Sequence, residues 1–366
     1  MLGLYFRSCV TIWLAVYAVL AVLLGLPAIF LHLMAVGALL CAVAYFRLPP
    51  PDAEASHALL GVDPLNLDGT PSRGKTDSDL GPIAHRAAGT DAPENTLAAV
   101  RACAARGAKC VEFDLSLTSD GMAVVLHDDT VERTSDGTGR IDQMTWEQAQ
   151  KLDFAAKHIL KDQYSPQRLP SVDEFVQECI NLKLKMIIDL KTYGEIEKTT
   201  AYITGLYKKF PGLYSKALVS SFWPQIIYAI RAKDPKIVCS MAWRPYFLSY
   251  QDFTGSLQDS RPRHEAIWKH YAAFAADFVL EWGLNNFLFY FLGLSAVLMQ
   301  KDVLTPAYVQ HWRSNGIRVI AWTVNNSLQK AYIENYLRVT LMSDSMDVIP
   351  VDEYLKTSIS ANDLAE

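Results

Sequence analysis

The chain lacks the features that most quickly assign a function. Its six cysteines, Cys9, Cys41, Cys103, Cys110, Cys179 and Cys239, include no CxxC pair, so neither a zinc site nor a disulfide framework is readable. It carries no basic excess: 34 Lys and Arg face 39 Asp and Glu, a net charge of −5, which excludes nucleic-acid binding by bulk charge. No internal repeat is visible. The largest absence is local. Residues 8–46, between Arg7 and Arg47, contain no Asp, Glu, Lys or Arg, whereas one transmembrane helix needs only about 20 such residues.

That charge-free leader exceeds the apolar core of a signal peptide and has no early cleavage site, so it is expected to stay attached as a membrane anchor over residues 1–47. Gly25, Leu26 and Pro27 near its middle predict either two short helices joined by a turn, or one span followed by a re-entrant stretch. Residues 48–80, rich in Pro, Gly, Asp and Ser, read as a linker.

From residue 81 the pattern changes. Short β-type runs at 83–85, 110–117, 123–127, 185–190, 217–221, 237–241, 295–299, 318–324 and 340–343 alternate with helical stretches such as 95–106 and 172–181. Such alternation predicts an α/β fold with a covered parallel sheet. Nine runs are one more than a (β/α)8 barrel uses, and 295–299 is the weakest of them.

The ionisable residues gather at the ends of these runs. His85-Arg86 closes the first, Glu112 and Asp114 sit in the second, His127-Asp128 closes the third, and Asp189 and Lys191 end the fourth. In a parallel barrel the C-terminal strand ends meet at one face, where active sites form. Residues two apart on a strand share a side, so Glu112 and Asp114 point together, as do Asp189 and Lys191. Three carboxylates on one rim repel one another unless a cation lies among them, and oxygen ligands select a hard one, Mg²⁺ or Ca²⁺. His85 and His127 lack zinc spacing, which leaves them acid and base work. With a divalent ion, Arg86 and Lys191, the group totals +1, the complement of a phosphodiester monoanion.

The motifs His85-Arg86, Ala92-Pro93-Glu94-Asn95-Thr96, Val111-Glu112-Phe113-Asp114, Thr118-Ser119-Asp120-Gly121, Leu126-His127-Asp128, Ser220-Ser221-Phe222, Trp322-Thr323-Val324-Asn325 and Ser343-Asp344 resemble, in order and spacing, the glycerophosphodiester phosphodiesterases. Within that family the chain most resembles the membrane-anchored animal members associated with glycerophosphoinositol. The resemblance implies a TIM barrel over 81–356, followed by a tail at 357–366, and a small insertion at 130–170 after the third strand that covers the site. It implies Glu112, Asp114 and Asp189 as metal ligands and His85 and His127 as the acid and base. Arg86, Lys191, Glu94, Trp322 and Asn325 follow as substrate-binding residues. The products expected are sn-glycerol 3-phosphate and an alcohol. Two departures stand out: Ala87 and Ala88 replace glycines found in many members, and Asp189 replaces a Glu.

Rival readings are a lysophospholipase D or sphingomyelinase D activity, with an apolar wall from Trp282, Phe287, Phe289, Tyr290 and Phe291, and a catalytically silent membrane scaffold that binds a signalling protein. An apolar helical segment is expected over 262–302; its stretch 284–299 is too short and too central to the barrel to span a bilayer, and is expected as a helix on the barrel or in the near leaflet. The chain is expected to be an integral protein of the plasma membrane or endomembranes. Arg7 and Arg47 favour cytoplasmic ends for a hairpin, whereas the resemblance implies an exoplasmic or lumenal active site.

Overall fold

A computed structural model describes residues 18–19, 22, 26–63, 65, 80–253 and 256–347. The chain divides into two compact units between Arg47 and Leu48. In the first, Leu26–Phe46 forms a helix without a charged residue, and Pro27 occupies the first turn, where its missing N–H is not needed. Its side chains are described from His32 onward, Leu39 excepted, and among the described residues no helix is long and apolar enough to cross a membrane. The choice between a hairpin and a single span falls on residues outside the described ones.

The second unit is an eight-stranded parallel barrel. Its strands are β1 (Ile83–Ala84), β2 (Cys110–Leu117), β4 (Lys185–Leu190), β5 (Ala217–Ser221), β6 (Cys239–Trp243), β7 (Ala296–Gln300), β8 (Arg318–Trp322) and β9 (Thr340–Ser343), closed by parallel pairing of β1 with both β2 and β9. The ninth run, β3 (Ala123–Val125), is the supernumerary one: it pairs antiparallel on β2, outside the ring. The 295–299 run, which looked weakest, is a full barrel strand between β6 and β8. Its polar-poor sequence suits a strand covered on both faces.

Side-chain parity separates two cores. Ile83, Cys110, Ile187, Leu218, Val238, Leu298, Ile320 and Met342 point inward and pack together, while Val111, Phe113, Met186, Ile188, Val219, Met241, Val297 and Val319 face the surrounding helices. Among those helices, Val172–Asn181 has the expected bounds, set by a Ser171/Glu174 capping box. Leu97–Ala105 starts later than expected because Thr96, not Asn95, is its N-cap.

The described residues of the 48–80 stretch are not simply a linker. Helix Ala53–Leu60, capped by Asp52, carries buried Leu59 and Leu60 into the inward-facing core. Lys185 Nζ donates to the carbonyls of Ala58 and Leu59 at 2.6 and 2.9 Å, and Arg318 Nη1 to Gly61 at 3.1 Å. These cations neutralise carbonyls left open at the helix end. The floor of the barrel is thus made by residues that precede its first strand. Upstream, Leu48 N–H donates to Phe291 at 2.9 Å. Gly293 lies against this segment with φ +60, where a Cβ would stand 2.6 Å from the Pro49 carbonyl, so only glycine fits.

The 284–299 stretch is not one helix. Leu284–Leu292 continues helix Ile267–Gly283 through a wider turn, then Gly293 breaks it and the rest becomes β7. The insertion between β3 and β4 has its own small core of Val124, Leu126, Val131, Ile141, Phe154 and Leu169.

Leu59→Ala is expected to destabilise the barrel by about 2 to 5 kcal/mol, as for other buried leucines, read from the denaturant midpoint. A protein lacking residues 1–47 should keep the wild-type midpoint, whereas a further deletion through Leu60 should lower it sharply.

Candidate active site

The inward parity that fills the barrel with apolar residues continues upward into a polar rim. On β2 the inward sequence is Cys110, Glu112, Asp114, and on β4 it is Lys185, Ile187, Asp189; the parallel register sets Asp114 directly beside Asp189. One ligand atom from each of Glu112, Asp114 and Asp189 lies within 4.8 Å of the others, and all three residues are buried. Arg86 N–H donates to Glu112 Oε2 at 2.8 Å, and Asn95 Nδ2 to Asp114 Oδ2 at 2.9 Å. Lys191 Nζ bonds Asp189 Oδ2 at 2.6 Å and stands 3.2 Å from Asp114 Oδ1.

Asp189 Oδ1 is buried and accepts no hydrogen bond, and Asp114 Oδ1, equally buried, has only the Lys191 ammonium beside it. Orphaned carboxylate oxygens are costly in a protein interior. Burial, with Asp114 and Asp189 close by, also pushes the Glu112 carboxyl well above its ordinary range. Asp114 goes the other way: burial raises it, but Lys191, His127, Arg86 and the Asn95 hydrogen bond outweigh that and hold it low. Three carboxylates at this spacing, with Asp189 Oδ1 unpartnered and Asp114 Oδ1 met only by the Lys191 ammonium, fit a hard divalent cation.

His127 reaches the same rim by an unexpected route. Because β3 runs antiparallel, the chain climbs past the top of β2, turns at 118–122 and descends; Leu126 N–H then donates to the Asp114 carbonyl at 3.0 Å. The histidine therefore stands at the level of Asp114 because a hairpin doubles back, not because a parallel strand ends there. Burial, then Lys191 and Arg86, hold its imidazole below the usual value, against Asp114 and Asp128.

Each histidine is backed by a carboxylate whose role sequence reasoning missed. His85 Nδ1 lies 2.6 Å from Asp344 Oδ1, and His127 Nδ1 lies 2.6 Å from Asp128 Oδ1. Such a bond orients the ring and leaves Nε2 for chemistry. The signal for Asp344 was parity, since it stands two residues beyond inward-facing Met342. Asp344 is held in turn by Asn325 Nδ2 at 2.6 Å, while Asn325 Oδ1 accepts Asp344 N–H at 2.9 Å. Arg133, from the insertion, clamps Asp128 through Nε at 2.6 Å and Glu94 through two bonds of 2.8 Å. Glu94 also accepts from Arg86 Nη1 at 3.2 Å.

His85, Arg86, Glu112, Asp114, His127, Asp189, Lys191 and Trp322 all line one cavity of about 770 Å³. Glu94 and Asn325, expected to touch substrate, do not line it; their polar atoms are taken up by Arg86 and Arg133, and by Asp344. The residues that the lipid-cleaving rival would use as an apolar wall, Trp282, Phe287, Phe289, Tyr290 and Phe291, do not line it either. Phe222 and Phe247, stacked at 4.4 Å, and Trp322, edge-on to Phe222 at 5.7 Å, line the cavity instead. Arg86, Ala87 and Ala88 are consecutive left-handed residues, with φ of 51, 62 and 63. Glycine would relieve about 1–2 kcal/mol per residue of that conformation, which is why alanine is notable here.

Residues 85–348 match the "Glycerophosphoryl diester phosphodiesterase family". The human protein "Glycerophosphodiester phosphodiesterase 1" is 43% identical over 264 residues, 72% of this chain and 77% of that protein; its Bos taurus counterpart is 44% identical over the same length. In fold, the chain is similar to an Oleispira antarctica phosphodiesterase solved with the product sn-glycerol-3-phosphate (TM-score 0.58, 22% identity, covering 76% of this chain and 96% of that one). It is also similar to a glycerophosphodiester phosphodiesterase from Agrobacterium tumefaciens (TM-score 0.56, 18% identity, 73% and 97%). A barrel with this rim, matched over 264 residues at that identity, makes the chain a member of the glycerophosphoryl diester phosphodiesterase family and an enzyme of its phosphodiester-cleaving class.

Proposed function

We propose that the enzyme hydrolyses glycerophosphodiesters, glycerophosphoinositol among them, to sn-glycerol 3-phosphate and an alcohol, using a divalent cation at Glu112, Asp114 and Asp189. The observation that carries this reading is the meeting of that carboxylate triad with two carboxylate-backed histidines on one cavity wall. The names of the mammalian relatives and the product bound by the Oleispira antarctica protein support it. A hard cation held there, Mg²⁺ first and Ca²⁺ second, supplies positive charge for the phosphoryl oxygens.

The chain's own residues do the rest. Lys191 and the Arg86 side chain face the rim as fixed cations and orient the phosphodiester anion. His127, kept neutral at pH 7, is in the form that accepts a proton from the attacking hydroxyl, whether from water or the substrate's own glycerol. His85, whose ring is oriented by Asp344 through Nδ1, presents Nε2 to give a proton to the leaving alkoxide. Arg133 ties the insertion to both Asp128 and Glu94, so the insertion braces the site from outside.

Membrane attachment is part of the same proposal, with the active site on an exoplasmic or lumenal face. Its support is the charge-free leader and a stripe of exposed side chains on helix Ile267–Gly283: Trp268, Tyr271, Phe278, Val279 and Trp282. They recur at helical spacing and suit an interfacial helix. The helical segment they belong to ends where Phe291 accepts from Leu48 N–H at 2.9 Å.

Hydrolysis of glycerophosphoinositol by the purified protein should disappear in excess EDTA and return with Mg²⁺ or Ca²⁺; activity that survives the chelator overturns the cation. His127→Ala should lower kcat by about 10² to 10⁴ while metal content and melting temperature stay at wild-type values.

The acidic limb of kcat/KM should fall below the ordinary imidazole value of about 6.5. Asp128→Asn removes a group that raises the His127 pKa, so the limb should move lower still, with kcat down about ten- to a hundredfold. A limb that does not move assigns the titration to another group.

Replacing Trp268, Tyr271 and Trp282 together by Ser should weaken partitioning of a protein lacking residues 1–47 onto vesicles, measured by flotation. Unchanged partitioning removes this helix from the membrane contact.

A further inference from the structure

The wall opposite the reaction centre carries charge that the chemistry above does not use. Counting either way round the barrel, β6 is the fourth strand from β1, so Arg244, immediately after β6, stands diametrically across from His85. The segments 244–253 and 256–263 are tied to each other and to the barrel by backbone and side-chain hydrogen bonds. They fold back as a hairpin, with Gln251 N–H donating to the Arg261 carbonyl at 2.9 Å and Arg263 N–H to that of Ser249 at 2.8 Å. The Asp277 carboxylate accepts from Leu248 and Ser249 N–H at 2.7 and 3.0 Å. Arg244 Nη2 pins the turn through the carbonyls of Tyr250 and Gln251 at 2.8 and 2.9 Å.

Within this wall the three arginines differ in how closely they are paired. Arg261 is neutralised by Asp252 through bonds of 3.0 and 2.7 Å. Arg244 and Arg263 have no such partner: among the described residues no carboxylate lies within 4.0 Å of either, and their guanidinium groups donate to backbone carbonyls. Both guanidinium groups approach the Phe247 ring, at 5.7 and 5.4 Å from its centroid. Arg244 is buried, and that burial, then the Arg263 charge, brings its pKa down to about 10. It stays charged at pH 7 and gains from any anion that arrives. Arg244, Phe247 and Arg263 line the same cavity as the histidines and carboxylates.

We propose that Arg244 and Arg263, braced on Phe247, form a subsite for the alcohol half of the substrate and select glycerophosphodiesters whose alcohol bears its own anionic group, a phosphate monoester above all. This rests on the phosphodiesterase reading. With the scissile phosphodiester on the rim of β1, β2 and β4, the alcohol half extends across the cavity toward β6. A guanidinium fork pairs with phosphate oxygens by two parallel bonds, which neither a neutral polyol nor a quaternary ammonium offers. A choline group would meet two unpaired cations there and be repelled.

The test compares kcat/KM of the full-length protein for glycerophosphoinositol 4-phosphate, glycerophosphoinositol and glycerophosphocholine. The phosphorylated substrate should exceed the choline one by at least about tenfold, with the preference shrinking as salt rises. Arg263→Gln, an exposed position, should collapse the ratio of the two. Arg244→Gln should do so as well, and Arg244→Lys should restore part of it; melting temperatures of all variants separate lost selectivity from a lost hairpin. Hydrolysis of all three substrates with a ratio near one, or a ratio unmoved in folded Arg263→Gln, overturns the subsite alone. Failure to hydrolyse any of the three overturns the phosphodiesterase reading and the subsite with it.

Discussion

The rim of this barrel is organised around a repulsion. Parallel register sets Asp114 beside Asp189, parity adds Glu112 two residues away, and the three buried carboxylates then share a space of a few ångströms. Such a cluster survives only if positive charge or a proton is brought to it. Lys191 and Arg86 meet part of the need from the side, Asn95 and a backbone N–H satisfy single oxygens, and Asp189 Oδ1 is left buried without a partner. Most of what surrounds the site can be understood as a response to that arrangement.

One response is a second ring of charge. Asp344 and Asp128 fix the two imidazoles, and each is fixed in turn, the first by Asn325 and the second by Arg133. Arg133 links this ring to Glu94 and through it to Arg86, so a residue of the insertion connects the proton-transfer machinery to the phosphate-facing cation. Buried networks of this kind are costly if half satisfied and rigid if complete. The price in backbone strain appears at Arg86–Ala88, three left-handed residues that aim the Arg86 amide at Glu112.

The floor of the barrel answers a different need. A ring of short strands leaves an open end below its inward-facing residues, and helix Ala53–Leu60 closes it with Leu59 and Leu60. Lys185 and Arg318, inward-facing at the start of β4 and β8, are then not stray charges in a core but partners for the carbonyls of that helix end. The two ends of the barrel thus use charge for different purposes: closure below, chemistry above.

Much of this was legible from residue order. Alternating β and helical runs with acids at alternate positions of a strand determine an α/β barrel and a shared carboxylate face, because strand periodicity is local physics. The capping box at Ser171 likewise determines where its helix starts. What the sequence could not determine is which groups meet from a distance. Asp344 lies 259 positions from His85, and the Leu59 side chain that closes the barrel sits in a stretch whose Pro, Gly and Asp content reads as linker. The direction of β3 was equally hidden, since a three-residue run carries no mark of whether it joins the ring or doubles back on β2. The division between what lines the cavity and what braces it, with Glu94 and Asn325 behind and Arg244 and Arg263 in front, was decided only by the closed barrel. Charge and polarity are properties of a residue, but its partner is a property of the fold.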